Sequence, residues 1–377
     1  MPTLFIPRER EAGETRVAAT PETVRRYVKK GIDVHIEAGA GLGSHRLDEG
    51  FIEAGARMVA DPEEGYAGAD MALKVGAPHS DEAALMPEGL LLAALLWPLN
   101  DPASTRLLAE HKVTAFSMDR IPRITRAQRM DALSSQSNIA GYKAVLLAAD
   151  ALPRLFPLMM TAAGTITPAQ VVIMGAGVAG LQAIATARRL GAVVEVSDVR
   201  PAVKEQVESL GGRFIEVETD EALEDEGGYA KEASAEFLER QQAVVQRHVI
   251  AADAVITTAL VPGKKAPLLI TDTMVEAMRP GSVIVDLAVE QGGNCESSVE
   301  GEVVERHGVT LIGHRNLPAM VPYHSSDVYA RNMLAVVEHF CPESEIVLDF
   351  DDEITAGAVV AHAGELRMEL PPRPEEN

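Results

Sequence analysis

Residues 171–198, VVIMGAGVAGLQAIATARRLGAVVEVSD, constrain this chain more than any other stretch. Four apolar residues, 171–174, run straight into Gly175-Ala-Gly177-Val178-Ala-Gly180. The spacing predicts a helix to about Leu190, a second strand over 193–196 and an acid, Asp198, at its end. That is a β-α-β unit with a glycine-rich first turn, the fingerprint of a dinucleotide site. Gly175 lets the chain turn tightly, Gly177 lets the backbone approach a pyrophosphate, and Gly180 lets the helix pack close to the sheet. Free N–H groups at the helix start favour the phosphates. Asp198 can accept hydrogen bonds from an adenosine ribose and would repel a 2′-phosphate, which favours NAD over NADP. Arg200 has two other readings, a receiver for a 2′-phosphate or a solvated arginine at a helix start. A glycine-rich turn that holds no ligand is the bland alternative for the whole unit.

At 377 residues with 47% hydrophobic composition, the chain can bury two cores of ordinary domain size. A formal net charge of −22 argues against nucleic acid or anionic membrane surfaces as direct partners. Cys295 and Cys341 make neither a disulfide framework nor a metal site, and a reducing cytoplasm fits them. The opening MPTLFIPRERE lacks a signal-peptide layout, and the most apolar run, 90–99, is too short to cross a bilayer. No direct membrane insertion is expected, although attachment to a membrane protein stays open.

Strands are predicted over 3–6, 33–37, 57–59, 71–75, 90–94 and 114–116, with helices between, including one over 21–30 with Thr20 as N-cap. Alternating β and α elements imply a parallel, doubly wound sheet. The first turn of this half, PREREAGETR, carries no phosphate-binding glycine pattern. A long helix from about Met130 to Asp150 would bridge to the second domain, whose later strands fall at 213–217, 254–257, 283–286 and 310–313. A helix over 326–340 then returns the chain to the first domain, and a hairpin and a disordered tail from Pro371 close it. The expected domains are residues 1–132, completed by 318–377, and residues 133–317 with the dinucleotide fingerprint. The expected fold is α/β, two Rossmann-like domains separated by a cleft where a dinucleotide meets its reaction partner.

Next to the fingerprint, the segment 122–131 matters most. It places Arg123, Arg126, Gln128, Arg129 and Asp131 at the hinge. Arginine and aspartate together can orient a nicotinamide carboxamide and its ribose, and Gln128 can bridge hydroxyl groups. An interdomain salt-bridge network is the equal alternative. Hydride transfer needs held reactants and excluded water more than it needs a protein nucleophile, and no Ser/His/Asp or metal constellation stands out. His314 reads as a surface histidine at a strand end. Lys74 reads either as a binder of a substrate carboxylate or as a snorkelling lysine.

With these residues in view, the chain resembles the NAD(H)-binding domain I of proton-translocating nicotinamide nucleotide transhydrogenase, in its separate alpha-subunit form. The likeness covers nearly the full length. It rests on PRITRAQRMDALSSQSNIAGY, TAAGTITPAQVVIMGAGVAGLQAIATA, KEQVESLGG, EGGYAKE, ITTALVPGKKAPLLIT and SVIVDLAVEQGGNC. It implies a homodimer and an enzyme, the alpha subunit of a Re/Si-specific, proton-translocating NAD(P)⁺ transhydrogenase, active with partner subunits. Those partners are a subunit that holds NADP(H) and a membrane proton-channel subunit, so the chain would be cytoplasmic and peripheral on the inner membrane face. The resemblance places Arg123, Gln128 and Asp131, with Ser134 just after, at the nicotinamide end. It places dinucleotide contacts at Gly175, Gly177, Val178, Gly180, Asp198, Val199 and Arg200. Gly228 and Tyr229 match a mobile loop that closes over the nucleotide, and Gln241, Ala259 and Leu260 match further lining positions.

The chain is also similar to alanine dehydrogenase, whose members hold the amino acid with an arginine, a lysine and a histidine. Arg16 and Lys74 match the first two, but LLWPLN puts Trp97 where the histidine is expected. Without that histidine, proton transfer at the amino-acid nitrogen loses its agent. A stand-alone amino-acid dehydrogenase is therefore the second reading and an NAD(H)-sensing module the third. Family members fused to membrane helices continue beyond the equivalent of residue 371. The expectation here is an anchor on another polypeptide, or a chain that is a piece of a longer one.

Overall fold

In β1 (Thr3–Ile6), Leu4 and Ile6 lie in one hydrophobic core and Phe5 in another. Successive side chains of a strand point to opposite faces, so an unbroken buried apolar run means a sheet covered on both sides. Helices supply the cover. The first, α1 (Pro21–Lys29), starts at a capping box: Thr20 Oγ1 accepts from the Thr23 N–H at 3.4 Å, and Thr23 Oγ1 accepts from the Thr20 N–H at 3.0 Å. It buries Val24 and Tyr27 against Leu4 and Ile6.

The computed structural model describes residues 1–216, 235–261, 263–343 and 345–372, with the backbone alone over 235–242. Gly228, Tyr229 and the tail beyond 372 lie outside the described residues, as does the side chain of Gln241. After α1 come β2 (Asp33–Glu37), α2 (Asp48–Glu53), β3 (Arg57–Val59), α3 (Pro62–Ala67), β4 (Met71–Leu73) and α4 (Ser80–Ala83). Next are β5 (Leu91–Ala94), α5 (Pro102–Glu110), β6 (Thr114–Ser117) and the long α6 (Ala132–Ala151). A ribbon of β7 (Met159–Thr161) and β8 (Gly164–Ile166) precedes β9 (Gln170–Met174), α7 (Val178–Arg189), β10 (Val193–Ser197), α8 (Lys204–Ser209) and β11 (Arg213–Phe214). Then follow α9 (Ala235–Ala251), β12 (Ala254–Thr257), α10 (Asp272–Ala277), β13 (Val283–Asp286), β14 (Val303–Arg306) and β15 (Val309–Ile312). The described chain ends with α11 (Pro322–Phe340), α12 (Glu353–Ala358), β16 (Val359–His362) and β17 (Glu365–Leu366).

Two compact units result, Met1–Gln136 with Ala319–Asn377, and Ser137–Pro318, and the division falls inside α6. The sheet of the first unit runs β3-β2-β1-β4-β5-β6-β16-β17, parallel through β6 and antiparallel at the last two strands. That of the second runs β11-β10-β9-β12-β13-β15-β14, parallel except at β14. Each sheet starts in its middle and winds outward both ways, the doubly wound order expected. The strand order reverses between β1 and β4 in one unit and between β9 and β12 in the other. Ligand crevices in such folds open at that reversal, beyond the carboxyl ends of the strands.

Three elements depart from expectation. β14 is an edge strand, largely exposed and partly charged, which an apolar-run criterion passes over. The closing segment does form a hairpin, β16–β17, but α12 precedes it, with the Asp352 carboxylate accepting from the Ile354 N–H at 2.8 Å as its cap. Among the described residues the β7–β8 ribbon pairs with no other strand, and Leu158, Met159, Met160 and Ile166 stand exposed on and beside it. Among the described residues no helix is long and apolar enough to cross a membrane.

Candidate functional site

The apolar β9 lies between β10 and β12, so its end delivers the glycine turn to the reversal point of the second sheet. Gly175 has φ +103°, and a Cβ there would lie 2.6 Å from Thr258 Oγ1. A Cβ on Gly180 would collide outright with the Gly175 carbonyl oxygen. Gly177, between them, has nothing within 4 Å of where its Cβ would be. The turn is thus closed against protein on both sides and open at its middle, a cradle that a side chain would fill. Gly177 is also the N-cap of α7, and no side chain caps that end. The first N–H groups of a helix have no acceptor within it, and the helix dipole adds partial positive charge. An open glycine beside unclaimed N–H groups fits the pyrophosphate of a dinucleotide.

Asp198, just past β10, closes one side of the cradle. Its carboxylate accepts the Ala176 N–H at 2.7 Å, the Arg200 N–H at 2.8 Å, and Arg200 Nε and Nη2 at 3.0 Å each. A carboxylate offers about four lone-pair positions, and all four are taken. One goes to the backbone of the glycine turn and one to the backbone of Arg200, while the other two belong to the Arg200 side chain. A ribose hydroxyl can bond to this carboxylate only where the Arg200 guanidinium gives way. Val199 is half-buried between the pair.

Past β12, Thr258 Oγ1 lies 3.0 Å from the Gly175 carbonyl and 3.2 Å from that of Met174, either of which can accept its proton. The Ala259 N–H nitrogen lies 3.3 Å from where a Gly175 Cβ would be. So Gly175, Gly177, Val178, Gly180, Asp198, Arg200 and Ala259 come together beyond the ends of β9, β10 and β12, with Leu260 exposed next to Ala259. Sequence reasoning missed Thr258. Its signal was a hydroxyl directly after an apolar strand neighbouring the fingerprint.

The hinge residues belong to the first unit. Residues 125–130 form a short 3₁₀ helix anchored by buried Ala127 and Met130. Arg126 Nη1 pairs with Asp352 at 2.8 Å and Arg129 with Glu338 at 3.1 Å, while Asn332 Nδ2 donates to the Arg129 carbonyl at 2.9 Å. The bond from Arg126 holds the Asp352 carboxyl below the usual carboxylate range, against a smaller opposing effect of burial. These ion pairs are internal to one unit, which corrects the interdomain network entertained for Arg126 and Arg129. Asp131 caps α6, its carboxylate accepting the Ser134 N–H at 2.9 Å and the Ser134 O–H at 2.5 Å. Arg123 and Gln128 are exposed.

At the reversal point of the first sheet, where no glycine turn exists, the space is filled with charge. Lys74 is 1% exposed, its ammonium 2.9 Å from Glu82 and 3.3 Å from Glu9. Lys74 does not snorkel; its ammonium is enclosed by two internal carboxylates, as a structural residue's would be. Burial pushes the Glu9 carboxyl up, and Lys74 pulls it only part of the way back. The Tyr66 O–H donates to Glu82 at 2.7 Å. Arg16 is forked onto Glu14 at 2.8 and 2.6 Å and donates to Gln136 at 2.8 Å. Trp97 sits in the left-handed region at φ 49°, partly exposed. His314 is half-buried, just past the end of β15. No cluster able to hold a metal ion exists among the described residues.

Comparison with known families places both halves. The profile of "Alanine dehydrogenase/PNT, N-terminal domain" matches residues 5–140 and that of "Alanine dehydrogenase/PNT, C-terminal domain" matches residues 144–369. The chain belongs to the alanine dehydrogenase/PNT family. Within that family it is 48% identical over 371 residues to an NAD(P) transhydrogenase subunit alpha chain of Rhodospirillum rubrum, covering 96% of each chain. A solved transhydrogenase structure from Sinorhizobium meliloti superposes with a TM-score of 0.85 at 42% identity, covering 97% of this chain and 98% of that one. The alanine dehydrogenase of Bacillus subtilis is more distant, 31% identical over 85% of this chain and 81% of its own. The two family matches divide the chain close to the boundary between its two units.

Proposed function

We propose that this chain is the NAD(H)-binding component of a proton-translocating NAD(P)⁺ transhydrogenase, a subunit alpha. It would exchange a hydride between NAD(H) held here and NADP(H) held on a partner subunit. The balance is NADPH + NAD⁺ against NADP⁺ + NADH, so two electrons and one proton move together as hydride. The observation that carries this reading is the cradle at Gly177, joined to near-full-length similarity with a transhydrogenase subunit alpha. Bound NAD(H) would supply or accept the hydride at its nicotinamide ring. The protein's own role is to bind and orient. Gly175, Gly177, Val178 and Gly180 present backbone to the pyrophosphate. Asp198, Val199 and Arg200 take the adenosine end, and Ala259 and Leu260 line the site with Gln241, Gly228 and Tyr229. Arg123, Gln128, Asp131 and Ser134 serve the nicotinamide end, with Gln128 reaching toward the second nucleotide. Residues 133–317 form the binding domain, and residues 1–132 with 318–377 its companion. The working form is a homodimer at the inner face of the membrane, held there by a membrane proton-channel subunit.

An amino-acid dehydrogenase is disfavoured on physical grounds. It needs free cations for a substrate carboxylate, and here Lys74 and Arg16 are each buried against internal carboxylates. Displacing either acid would strand a buried charge, which costs several kcal/mol.

The test mixes this chain, loaded with NADH, with the soluble NADP⁺-binding domain of its partner in a stopped-flow instrument. Rapid NADPH formation that requires both proteins is expected. No transfer, with both proteins folded and loaded, would remove the transhydrogenase reading, and a panel of amino and 2-oxo acids would follow.

A further inference from the structure

The segment SVIVDLAVEQGGNC makes none of the nucleotide contacts above, yet its last residues reach the site's edge. β13 ends at Asp286, whose fully buried carboxylate accepts from Thr257 Oγ1 at 2.9 Å and from the Ala288 N–H at 3.0 Å. Its other oxygen accepts the N–H groups of Asn294 at 2.9 Å and Cys295 at 3.0 Å. One acid thus folds residues 287–295 back on the strand end and fixes where Asn294 stands.

The side chain of Asn294 then behaves as a missing strand. Its Oδ1 accepts the Ala259 N–H at 3.0 Å and its Nδ2 donates to the Ala259 carbonyl at 2.9 Å. A second Nδ2 bond reaches the Pro267 carbonyl at 2.8 Å, so every donor proton of the amide is used in a residue with no exposed surface. β12 stops at Thr257, and Asn294 carries its hydrogen-bond pattern two residues further, to the turn that abuts Gly175. Thr258, between, is bonded to the glycine turn itself.

We infer that Asn294 is a positioning residue for the dinucleotide, holding Ala259 and, through Thr258, the glycine turn in binding geometry before any nucleotide arrives. The inference rests on the proposed dinucleotide site and extends it to a residue that touches no ligand. Only a carboxamide supplies one acceptor and two donors in one plane at this length. An aspartate there offers no donor when ionised, and an alanine leaves both polar groups of Ala259 without partners.

The experiment is an NADH titration, followed by fluorescence, of the full-length wild type, Asn294→Ala and Asn294→Asp between pH 6 and 9. Asn294→Ala should weaken NADH binding on the order of tenfold, as loss of partnered backbone groups implies. Asn294→Asp should bind weakly at high pH and recover as pH falls. Its carboxyl, once protonated, can donate to one carbonyl and accept from the Ala259 N–H, and the wild type should lack this pH profile. An Asn294→Ala dissociation constant within twofold of wild type, or an Asn294→Asp profile parallel to it, would overturn the inference alone. A wild type that binds no NADH overturns the underlying site as well. If both variants fail to fold, hydrogen exchange on the wild type decides. The Ala259 amide should be protected without nucleotide, and protection appearing only with NADH would refute pre-positioning.

Discussion

Asp198 illustrates how far one residue can be read from its neighbours in sequence. Its place after the second strand of the fingerprint identifies it as an acceptor, and its carboxylate does face the glycine turn, bonded to Ala176. What spacing leaves open is the competition. Arg200 admits two opposite readings from sequence, and the fold adds a third, a guanidinium laid across the acid at 3.0 Å. Ribose binding therefore exchanges charge-assisted hydrogen bonds for others, and its net gain is smaller than a free carboxylate would give. Asp198→Ala is expected to weaken NADH binding by roughly tenfold, about 1.4 kcal/mol. An unchanged dissociation constant in calorimetry would contradict the ribose assignment. Lys74 was less legible, because Glu9 lies far from it in sequence and Glu82, though near, meets it only when β1, β4 and α4 are assembled.

Elements with unbroken apolar runs were readable because a doubly wound sheet buries both faces of its strands. β9, β12 and β13 fall where the sequence places them for that reason. The β7–β8 ribbon and β14 bury little, so hydrophobic pattern says nothing about them. Gly141 shows a different limit. Inside α6 a glycine reads as a weak point, costing about 1 kcal/mol against alanine by helix propensity. In the fold, a Cβ there would collide with the Ala179 carbonyl oxygen at the start of α7. Close approach of the two helices demands the glycine, and no single-helix rule can report it. Gly141→Ala should destabilise the protein by about 1–3 kcal/mol despite its better propensity. Thermal unfolding checks this, and a stabilised variant would mean that α6 and α7 separate at no cost. Because α7 carries the glycine cradle on its first turn, NADH affinity should fall with stability.

For the whole molecule, a formal charge of −22 in 377 residues puts like charge over much of the surface. Self-repulsion of that kind destabilises the compact state and is screened by salt within a Debye length of about 10 Å at 0.1 M. The melting temperature should therefore rise as NaCl is added from low ionic strength and level off once screening is complete. A falling or flat curve in calorimetry would show that exposed ion pairs, such as Arg57–Glu64 and Arg315–Glu300, outweigh the general field. The two-sheet architecture was legible because the β-α alternation repeats in both halves. That only one half keeps a nucleotide turn was legible too, from PREREAGETR against GAGVAG. The charge filling the other half was not, since it comes from residues scattered over α4, β4 and the turn after β1.

The β7–β8 ribbon has a chemical side. Met159 and Met160 are 44% and 80% exposed, whereas Met174, Met274 and Met333 are packed in cores. A peroxide reaches the ribbon long before those interior sulfurs. Each sulfoxide formed there replaces a flexible apolar side chain by a polar, chiral one. Of these methionines the ribbon pair is thus oxidised first, just ahead of β9 and the glycine turn in sequence, and anything that covers the ribbon slows the damage.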